Sequence, residues 1–199
     1  MGLRERKREQ TRQALADAAL ELFAEHGYDA TTIAAIAARA DVSPRTFFSH
    51  HPSKEHVLFC EDDETLASLG AHLAARPPGQ PTLDALRDWI GTIVDEYDFA
   101  AGDSRERLRR RVIEQTPVLL AHEQQLRARF EVVIRAEVAV ELGDRPEDLR
   151  PRLVAAAATA ALESTRPQEG VDAGPAEALA RVDAAMTFLR GGLRALQGS

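Results

Sequence analysis

Eight consecutive residues, 43–50, hold a dense set of side chains that exchange hydrogen bonds with polar partners. Two serines, a threonine, an arginine and a histidine occur there: Ser43, Arg45, Thr46, Ser49 and His50. An arginine can donate two parallel hydrogen bonds to the edge of a guanine, and hydroxyl groups donate to phosphate oxygens. The chemistry that these residue types can perform together is therefore the recognition of nucleic acid.

Apolar residues and capping residues around this segment predict two short helices joined by a tight turn. Ile33, Ile36, Ala37 and Ala40 recur at i, i+3, i+4 and i+7, which is one face of a helix that Thr31 or Thr32 can cap. A serine followed by a proline, Ser43-Pro44, starts a second helix that runs to about His50. The pattern predicts a helix-turn-helix, whose second helix enters the DNA major groove. The alternative is an ordinary helical corner of an all-α domain.

The same residues carry a family resemblance. From about Arg12 to Val57, the motifs Thr-Thr-Ile-x-x-Ile-Ala, Val-Ser-x-x-Thr-Phe-Phe and Pro-Ser-Lys-Glu resemble the DNA-binding segment of the tetracycline-repressor (TetR) family. The resemblance implies phosphate contacts at its serine, threonine, aromatic and lysine positions, which are Ser43, Thr46, Phe48 and Lys54. Two positions depart from the family pattern, because Phe48 replaces the usual tyrosine and His51 replaces the usual aromatic residue.

Charge is unevenly distributed along the 199 residues, whose net charge is −7. Residues 1–54 carry 8 basic and 7 acidic side chains, whereas residues 55–199 carry 17 and 25. An acidic protein must bind DNA through a local surface, and a basic cluster lies at the N-terminus. The candidate DNA contacts are Arg6, Lys7, Arg8, Thr32, Ser43, Pro44, Arg45, Thr46, Phe48, Ser49, His50 and Lys54.

The remainder of the chain shows helical periodicity and no convincing strand alternation. We expect an all-α protein of about nine helices, with a three-helix DNA-binding domain at residues 1–54 and a ligand-binding and dimerisation domain at residues 55–199. A helix from Ser53 to about Ala75 is the expected link between them. A turn at Ala101–Asp103 is expected to precede a further helix that Ser104 caps.

The last two helices have the residue pattern of a subunit interface. An alanine-rich run, Leu153–Leu162, precedes a helix in which Leu179, Val182, Met186, Leu189, Leu193 and Leu196 recur at spacings of three and four. We expect a homodimer, since a protein that reads a palindrome needs two-fold symmetry. The candidate interface residues are Ala157, Ala161, Val182, Met186, Leu189 and Leu193. The alternative is that both helices bury these residues against their own domain.

Residues 80–199 resemble the mycofactocin-type regulators through Leu108-Arg-Arg-Arg, Thr116-Pro and Asp148-Leu-Arg-Pro-Arg-Leu. That resemblance implies an acyl-CoA-like small-molecule effector. The candidate ligand contacts are Trp89, Ile90, Tyr97, Arg109, Phe130 and Ile134, with plain core as the alternative for each apolar residue.

Other functional classes receive little support. The single cysteine, Cys60, suits a reducing cytoplasm, and neither a signal peptide nor a run long enough to span a bilayer is present. A zinc site is a possible alternative, with His50, His51, His56 and Cys60 as its ligands. A histidine beside a buried thiol is the simpler interpretation. We therefore expect no metal or cofactor. No catalytic motif is present, so no enzyme is predicted. We therefore expect a ligand-responsive repressor. The alternative is an acyl-ligand-binding or interaction protein without operator recognition.

Overall fold

The computed structural model describes residues 2–96, 99–164 and 174–197, and within these ranges all regular structure is helical. Nine α-helices are present there: α1 Leu3–His26, α2 Ile33–Arg39, α3 Pro44–His50, α4 Asp62–Ala74, α5 Thr82–Glu96, α6 Phe99–Glu114, α7 Pro117–Leu142, α8 Leu149–Ser164 and α9 Pro175–Gln197. The prediction of an all-α fold is confirmed. None of these helices is long and apolar enough to cross a membrane.

Two of the helices end at glycines with a left-handed backbone. Gly27 (φ 83°) follows α1 and donates its N–H to the carbonyl of Phe23 at 2.9 Å, while Gly143 (φ 67°) follows α7. A side chain at either position would be strained, so glycine favours the end of both helices at these points.

The expected single helix from Ser53 to about Ala75 is wrong. The chain instead forms a short 3₁₀ turn at His56–Leu58, and α4 begins only at Asp62. Val57, Leu58 and Phe59 are all buried, with 1, 7 and 3% of their surface exposed. Three successive residues of an α-helix point in three different directions, so they cannot all face the same core. The break in the helix allows all three side chains to be buried.

The expected turn at Ala101–Asp103 is also wrong, because α6 begins at Phe99 and includes these residues. A break follows at Thr116-Pro117, because α6 ends at Glu114 and α7 starts at Pro117. Proline lacks a backbone N–H and restricts the residue before it, which favours a new helix at this point.

The chain divides into two compact units. The N-terminal unit comprises residues 1–63 and 104–124, and the C-terminal unit comprises residues 64–103 and 125–199. The chain therefore passes between the units at three places, within α4, α6 and α7, and not only through the helix that follows Ser53. A functional boundary after residue 54 remains a prediction.

Each unit has its own buried apolar core. In the N-terminal unit, α1 buries one apolar face: Leu15, Ala18, Ala19, Leu22 and Phe23. In the C-terminal unit, α4, α5, α7, α8 and α9 enclose a cluster whose fully buried members include Leu69, Leu86, Ile134, Ala158 and Met186. Burial of large side chains at about 1.5–3 kcal/mol each drives the packing of both units.

Candidate nucleic-acid interface

The helix-turn-helix is capped at both helix starts. The Thr32 hydroxyl accepts a hydrogen bond from Ala35 N at 3.1 Å at the start of α2, and the Ser43 hydroxyl accepts one from Thr46 N at 3.1 Å at the start of α3. Such caps satisfy backbone N–H groups that a helix start leaves unpaired. Both of these hydroxyl groups therefore have a structural role in the free protein.

The turn between the two helices is fixed by its backbone. Asp41 has a left-handed conformation (φ 55°), which aspartate tolerates better than most residues. Val42 N donates to the carbonyl of Ala37 at 2.9 Å, and Asp41 N donates to that of Ala38 at 3.2 Å. This pair of bonds is the Schellman arrangement that ends many helices, and it fixes the direction in which α3 leaves the turn.

The outward side of α3 is the prominent polar surface of this motif. Phe47 is fully buried, whereas Pro44, Arg45, Phe48 and Ser49 are exposed. The Arg45 guanidinium makes no hydrogen bond or ion pair with the residues that the structure describes. All five of its N–H donors are thus available to a partner.

Hydroxyl groups on α3 are partly occupied by the helix itself. Ser49 Oγ donates to the Thr46 carbonyl at 2.7 Å, and the hydroxyls of Ser43 and Thr46 share one hydrogen bond at 2.9 Å. A phosphate oxygen can only accept a hydrogen bond, so a donor that is already in use cannot hold it. In this arrangement one hydroxyl proton of the Ser43–Thr46 pair remains for a phosphate, and Ser49 has none.

Lys54 is directed into the protein. Its ammonium donates to the carbonyls of Tyr28 at 2.7 Å and Thr31 at 3.1 Å, and it lies 3.8 Å from the centre of the Tyr28 ring. Two of its three protons are therefore used to hold the turn after α1. No sequence pattern indicates these bonds, because the partners are backbone carbonyls far from Lys54 in the chain.

The basic cluster at the start of α1 consists of Arg4, Arg6, Lys7, Arg8 and Arg12, of which the first four have no ion-pair partner among the described residues. All four are exposed. Arg12 differs, because it pairs with Glu9 at 2.6 Å and donates to Cys60 Sγ at 3.0 Å. The unpaired residues of this cluster are thus available for phosphate groups.

His50, at the end of α3, lies within the electrostatic influence of this basic cluster. Burial first, and then the positive charges of Arg8 and Arg12, lower the pKa of His50. The imidazole is therefore neutral near pH 7 and offers one donor and one acceptor rather than a charge.

His51 replaces the usual aromatic residue of the family and is buried as an aromatic ring would be. It is fully buried, its ring lies 5.6 Å from that of Phe47, and its Nδ1 is 3.4 Å from Nδ1 of His56. Burial, followed by the charge of His56, lowers the pKa of His51 to about 4. Near neutral pH the imidazole is therefore an uncharged ring that packs against Phe47.

The zinc alternative gains no support from the arrangement of these side chains. Among the residues described by the structure, no group of three or more histidine, cysteine or acidic side chains is placed to hold a metal ion. His56 lies beside His51, whereas the Cys60 thiol accepts a hydrogen bond from the Arg12 guanidinium.

Four candidate ligand contacts lie together in the C-terminal unit. Trp89 and Ile134 belong to its core, Ile90 and Phe130 pack against that core, and the Trp89 and Phe130 rings are 6.4 Å apart. Trp89 Nε1 donates to Ser68 Oγ at 3.1 Å. Tyr97 lies outside the described residues. These contacts are those that the plain-core alternative predicts.

Arg109 belongs to the N-terminal unit, whereas the four clustered ligand candidates belong to the C-terminal unit. Its Nε donates to the Leu58 carbonyl at 2.9 Å, and its guanidinium lies 5.2 Å from the Phe59 ring and 3.5 Å from a carboxylate oxygen of Asp62. The guanidinium is therefore already engaged by groups of its own unit.

A surface cavity of about 510 Å³ lies in the C-terminal unit. Its lining includes Arg76, Pro78, Glu137 and Val140 and none of the candidate ligand contacts. The cavity and the cluster around Trp89 are therefore separate features of this unit.

The repeating apolar positions of α9 are buried inside the single chain. Val182, Met186, Leu189 and Leu193 are at most 9% exposed and belong to the core of the C-terminal unit, and Ala157 and Ala161 pack against it. The alternative of burial within the same domain therefore describes these four α9 residues.

Apolar side chains instead protrude from the opposite sides of α8 and α9. Leu149, Leu153 and Phe188 are 74, 49 and 77% exposed. On α9, exposed small residues lie about one turn from Phe188 on either side: Ala184, Gly191 and Gly192. These three large residues were not among the predicted interface residues, because that prediction followed the alanines of α8 and the apolar repeat of α9. Large apolar residues outside these two patterns were the signal in the sequence that could have identified them.

Comparisons with known proteins identify two matching regions. Residues 15–59 match the bacterial regulatory proteins of the tetR family, and residues 80–194 match the MftR C-terminal domain. The transcriptional regulator TcmR of Streptomyces glaucescens is 36% identical over 163 residues, which cover 78% of this chain and 71% of TcmR. MftR of Mycobacterium tuberculosis, which its name assigns to the transcriptional regulation of mycofactocin biosynthesis, is 32% identical over 151 residues, 75% of each chain.

Solved structures share the fold. The structure of SmeT, the repressor of the Stenotrophomonas maltophilia multidrug efflux pump SmeDEF, aligns with a TM-score of 0.56 at 19% identity. The alignment covers 90% of this chain and 91% of SmeT. At this level of identity the similarity concerns the helical fold alone.

Proposed function

Because the chain belongs to the TetR family of bacterial regulatory proteins, we propose that it acts as a homodimeric repressor released from an inverted-repeat operator by an acyl-CoA-like effector. The main support for operator recognition comes from the side chains on the outward side of α3. There the unpaired Arg45 guanidinium stands on a helix fixed by the buried Phe47 and by the Ser43 cap.

DNA contacts divide into base readout and phosphate binding. Arg45 is the residue for base readout, because its free donors match the two acceptors of guanine in the major groove. Arg6, Lys7 and Arg8 bind phosphates from the start of α1 and give affinity that does not depend on sequence. Thr32, Ser43 and Thr46 contribute mainly by holding α2 and α3 in position.

The dimer forms through the outer sides of α8 and α9. Ion pairs of Arg87 with Asp183 (2.7 Å) and of Arg190 with Asp84 (2.6 Å) fix α9 against α5 of the same chain. The exposed Leu149, Leu153 and Phe188 then face a second copy, and small neighbouring residues let the helices approach closely. Four helices, two from each copy, complete the interface.

The effector binds in the C-terminal unit, next to Trp89 and Phe130. An acyl chain is apolar, so it favours a site walled by these rings and by Ile134. The acyl-CoA-like class is what the resemblance to the mycofactocin-type regulators implies, and residues 80–194 are the region that matches the MftR C-terminal domain. Because Arg109 is occupied by Leu58 and Asp62, an effector phosphate that used it would first have to break these contacts.

Release follows if the effector changes the separation of the two recognition helices of the dimer. Half-sites one helical turn apart are about 34–36 Å from centre to centre, so both helices dock together only at a matching spacing. A coupling of about 1–3 kcal/mol is usual between two such sites, and it acts equally in both directions.

The test is a titration of acyl-CoA into the protein–operator complex. Trp89 is the single tryptophan, so its fluorescence reports on the C-terminal unit, and the anisotropy of a labelled operator reports on release. We expect both signals to change over the same concentrations and operator affinity to fall about 5- to 150-fold. If no chain length changes either signal, the effector class is wrong, while operator binding by the free protein stands as a separate result.

A further inference from the structure

Phe48 presents an aromatic ring on the same side of α3 as the unpaired Arg45. The side chain is 56% exposed, and its ring meets the buried Phe47 ring edge-on, with centroids 5.6 Å apart and planes at 85°. The two outward residues are three positions apart, so they are neighbours on the surface of the helix. When the Arg45 guanidinium enters the major groove of a duplex, the Phe48 ring therefore enters it as well.

The chemistry of Phe48 differs from that of the hydroxyl groups around it. A phenyl ring has no hydrogen-bond donor, so Phe48 cannot hold a phosphate oxygen, which is the contact that the family pattern implies for a tyrosine at this position. The apolar group that the major groove offers is the C5 methyl of thymine, and phenylalanine is among the side chains suited to it.

We propose that Phe48 is a specificity-determining residue that reads a thymine methyl group, next to the base pair contacted by Arg45. The inference rests on the proposed operator binding. It predicts that one position of each half-site is a thymine, recognised through its methyl group. Phe48 thereby adds sequence information at a place where a tyrosine–phosphate contact would add only affinity.

The size of the effect follows from the area of one methyl group. When one buried methyl or methylene group is removed from an interface, the binding affinity falls about fourfold. Because a symmetric dimer makes the contact twice, loss of both methyl groups should weaken operator binding roughly fifteenfold. Binding to unrelated DNA should not change, since that binding depends on phosphates.

The experiment replaces thymine by deoxyuridine, which lacks only the methyl group. The operator is first selected from a randomised pool with the unmodified protein, and each thymine is then substituted in both half-sites. We expect one symmetric pair of thymines at which the unmodified protein loses roughly fifteenfold in affinity. The Phe48→Ala variant should bind the thymine and deoxyuridine forms of that operator equally, and Phe48→Leu should still distinguish them.

The outcomes separate this proposal from operator binding itself. Failure to select any operator would argue against the proposed function, whereas a selected operator without a methyl-sensitive thymine overturns only the role of Phe48. A thymine that stays sensitive with Phe48→Ala belongs to another side chain, and this also overturns the proposal. If Phe48→Ala fails to fold, Phe48→Ser takes its place in the same comparison, because the position is 56% exposed and serine has no apolar surface for the methyl group.

Discussion

Arg45 combines exposure with a complete lack of partners among the described residues, which makes it the best candidate for reading a base. Replacement by alanine should cost about 1–3 kcal/mol per half-site and relax the preference at one base pair. Arg45→Lys is the matched control, because it keeps the charge but loses the two-pronged donor geometry. Affinities for the selected operator and for single-base variants measure the effect, and unchanged discrimination with Arg45→Ala would exclude the assignment.

His51 should make the N-terminal unit sensitive to acid. Its pKa is about 4 in the folded chain, below the ordinary value of about 6.5. Between these two pH values, His51 binds more protons in the unfolded chain than in the folded chain. The contribution of His51 to the free energy of unfolding is therefore fully present above about pH 6.5 and is lost as the pH drops towards 4. The melting temperature of His51→Phe should depend less on pH from 7 to 5 than that of the unmodified protein. Parallel curves for the two proteins would show that His51 is not the titrating group.

The residue types of the DNA-binding surface could be predicted from the sequence, but their internal bonds could not. Lys54 matches the phosphate-binding position of the family, yet it holds the Tyr28 and Thr31 carbonyls. Ser49 likewise donates to the Thr46 carbonyl. Backbone carbonyls have no signature in the sequence, so the competition between internal and external partners becomes visible only in the structure.

Among the elements, the start of α1 provides a surface without any competing partner in the described part of the chain. Replacement of Arg6, Lys7 and Arg8 by glutamine should weaken binding to all DNA sequences and flatten the salt dependence by about 0.9 for each phosphate that the variant no longer binds. The matched control removes three exposed charges of the C-terminal unit that do not lie on α8, by Arg129→Gln, Arg145→Gln and Arg194→Gln. If both triple variants change the slope equally, the effect reflects net charge rather than direct binding of phosphates by α1.

Local patterns predicted α2 and α3 well, because caps and apolar spacing indicate the same elements. The segment after Ser53 was predicted wrongly. Ser53 Oγ does accept from His56 N at 3.2 Å, but the capped element is a 3₁₀ turn and not a long helix. The burial of Val57, Leu58 and Phe59 against the rest of the unit overrides the local signal there, and tertiary burial cannot be read from a cap.

The apolar ladder of α9 shows a different limit of sequence reasoning. Val182, Met186, Leu189 and Leu193 do form one buried face, as the spacing predicted. A spacing of three and four does not say whether the facing surface belongs to the same chain or to another. The structure places the ladder in the core and leaves Phe188 on the opposite side.

At the scale of the whole molecule, two neighbouring positions on α9 distinguish the dimer surface from the core. Phe188→Glu should give a folded monomer with weak operator binding, because Phe188 is 77% exposed in the single chain. Leu189→Glu should fail to fold, because Leu189 is 6% exposed within the core. Sedimentation and circular dichroism of both variants measure these outcomes, and a stable Phe188→Glu dimer would place the interface elsewhere.

The most direct measurement of operator recognition is the ratio of two affinities at one salt concentration. Sequences selected from randomised DNA by the full-length protein should form an inverted repeat with half-sites about 34–36 Å apart or a multiple of that distance. The dimer should bind this operator at least about a thousandfold more tightly than a scrambled duplex of equal length. If selection yields no shared sequence and the two affinities are equal, the helix-turn-helix does not read an operator.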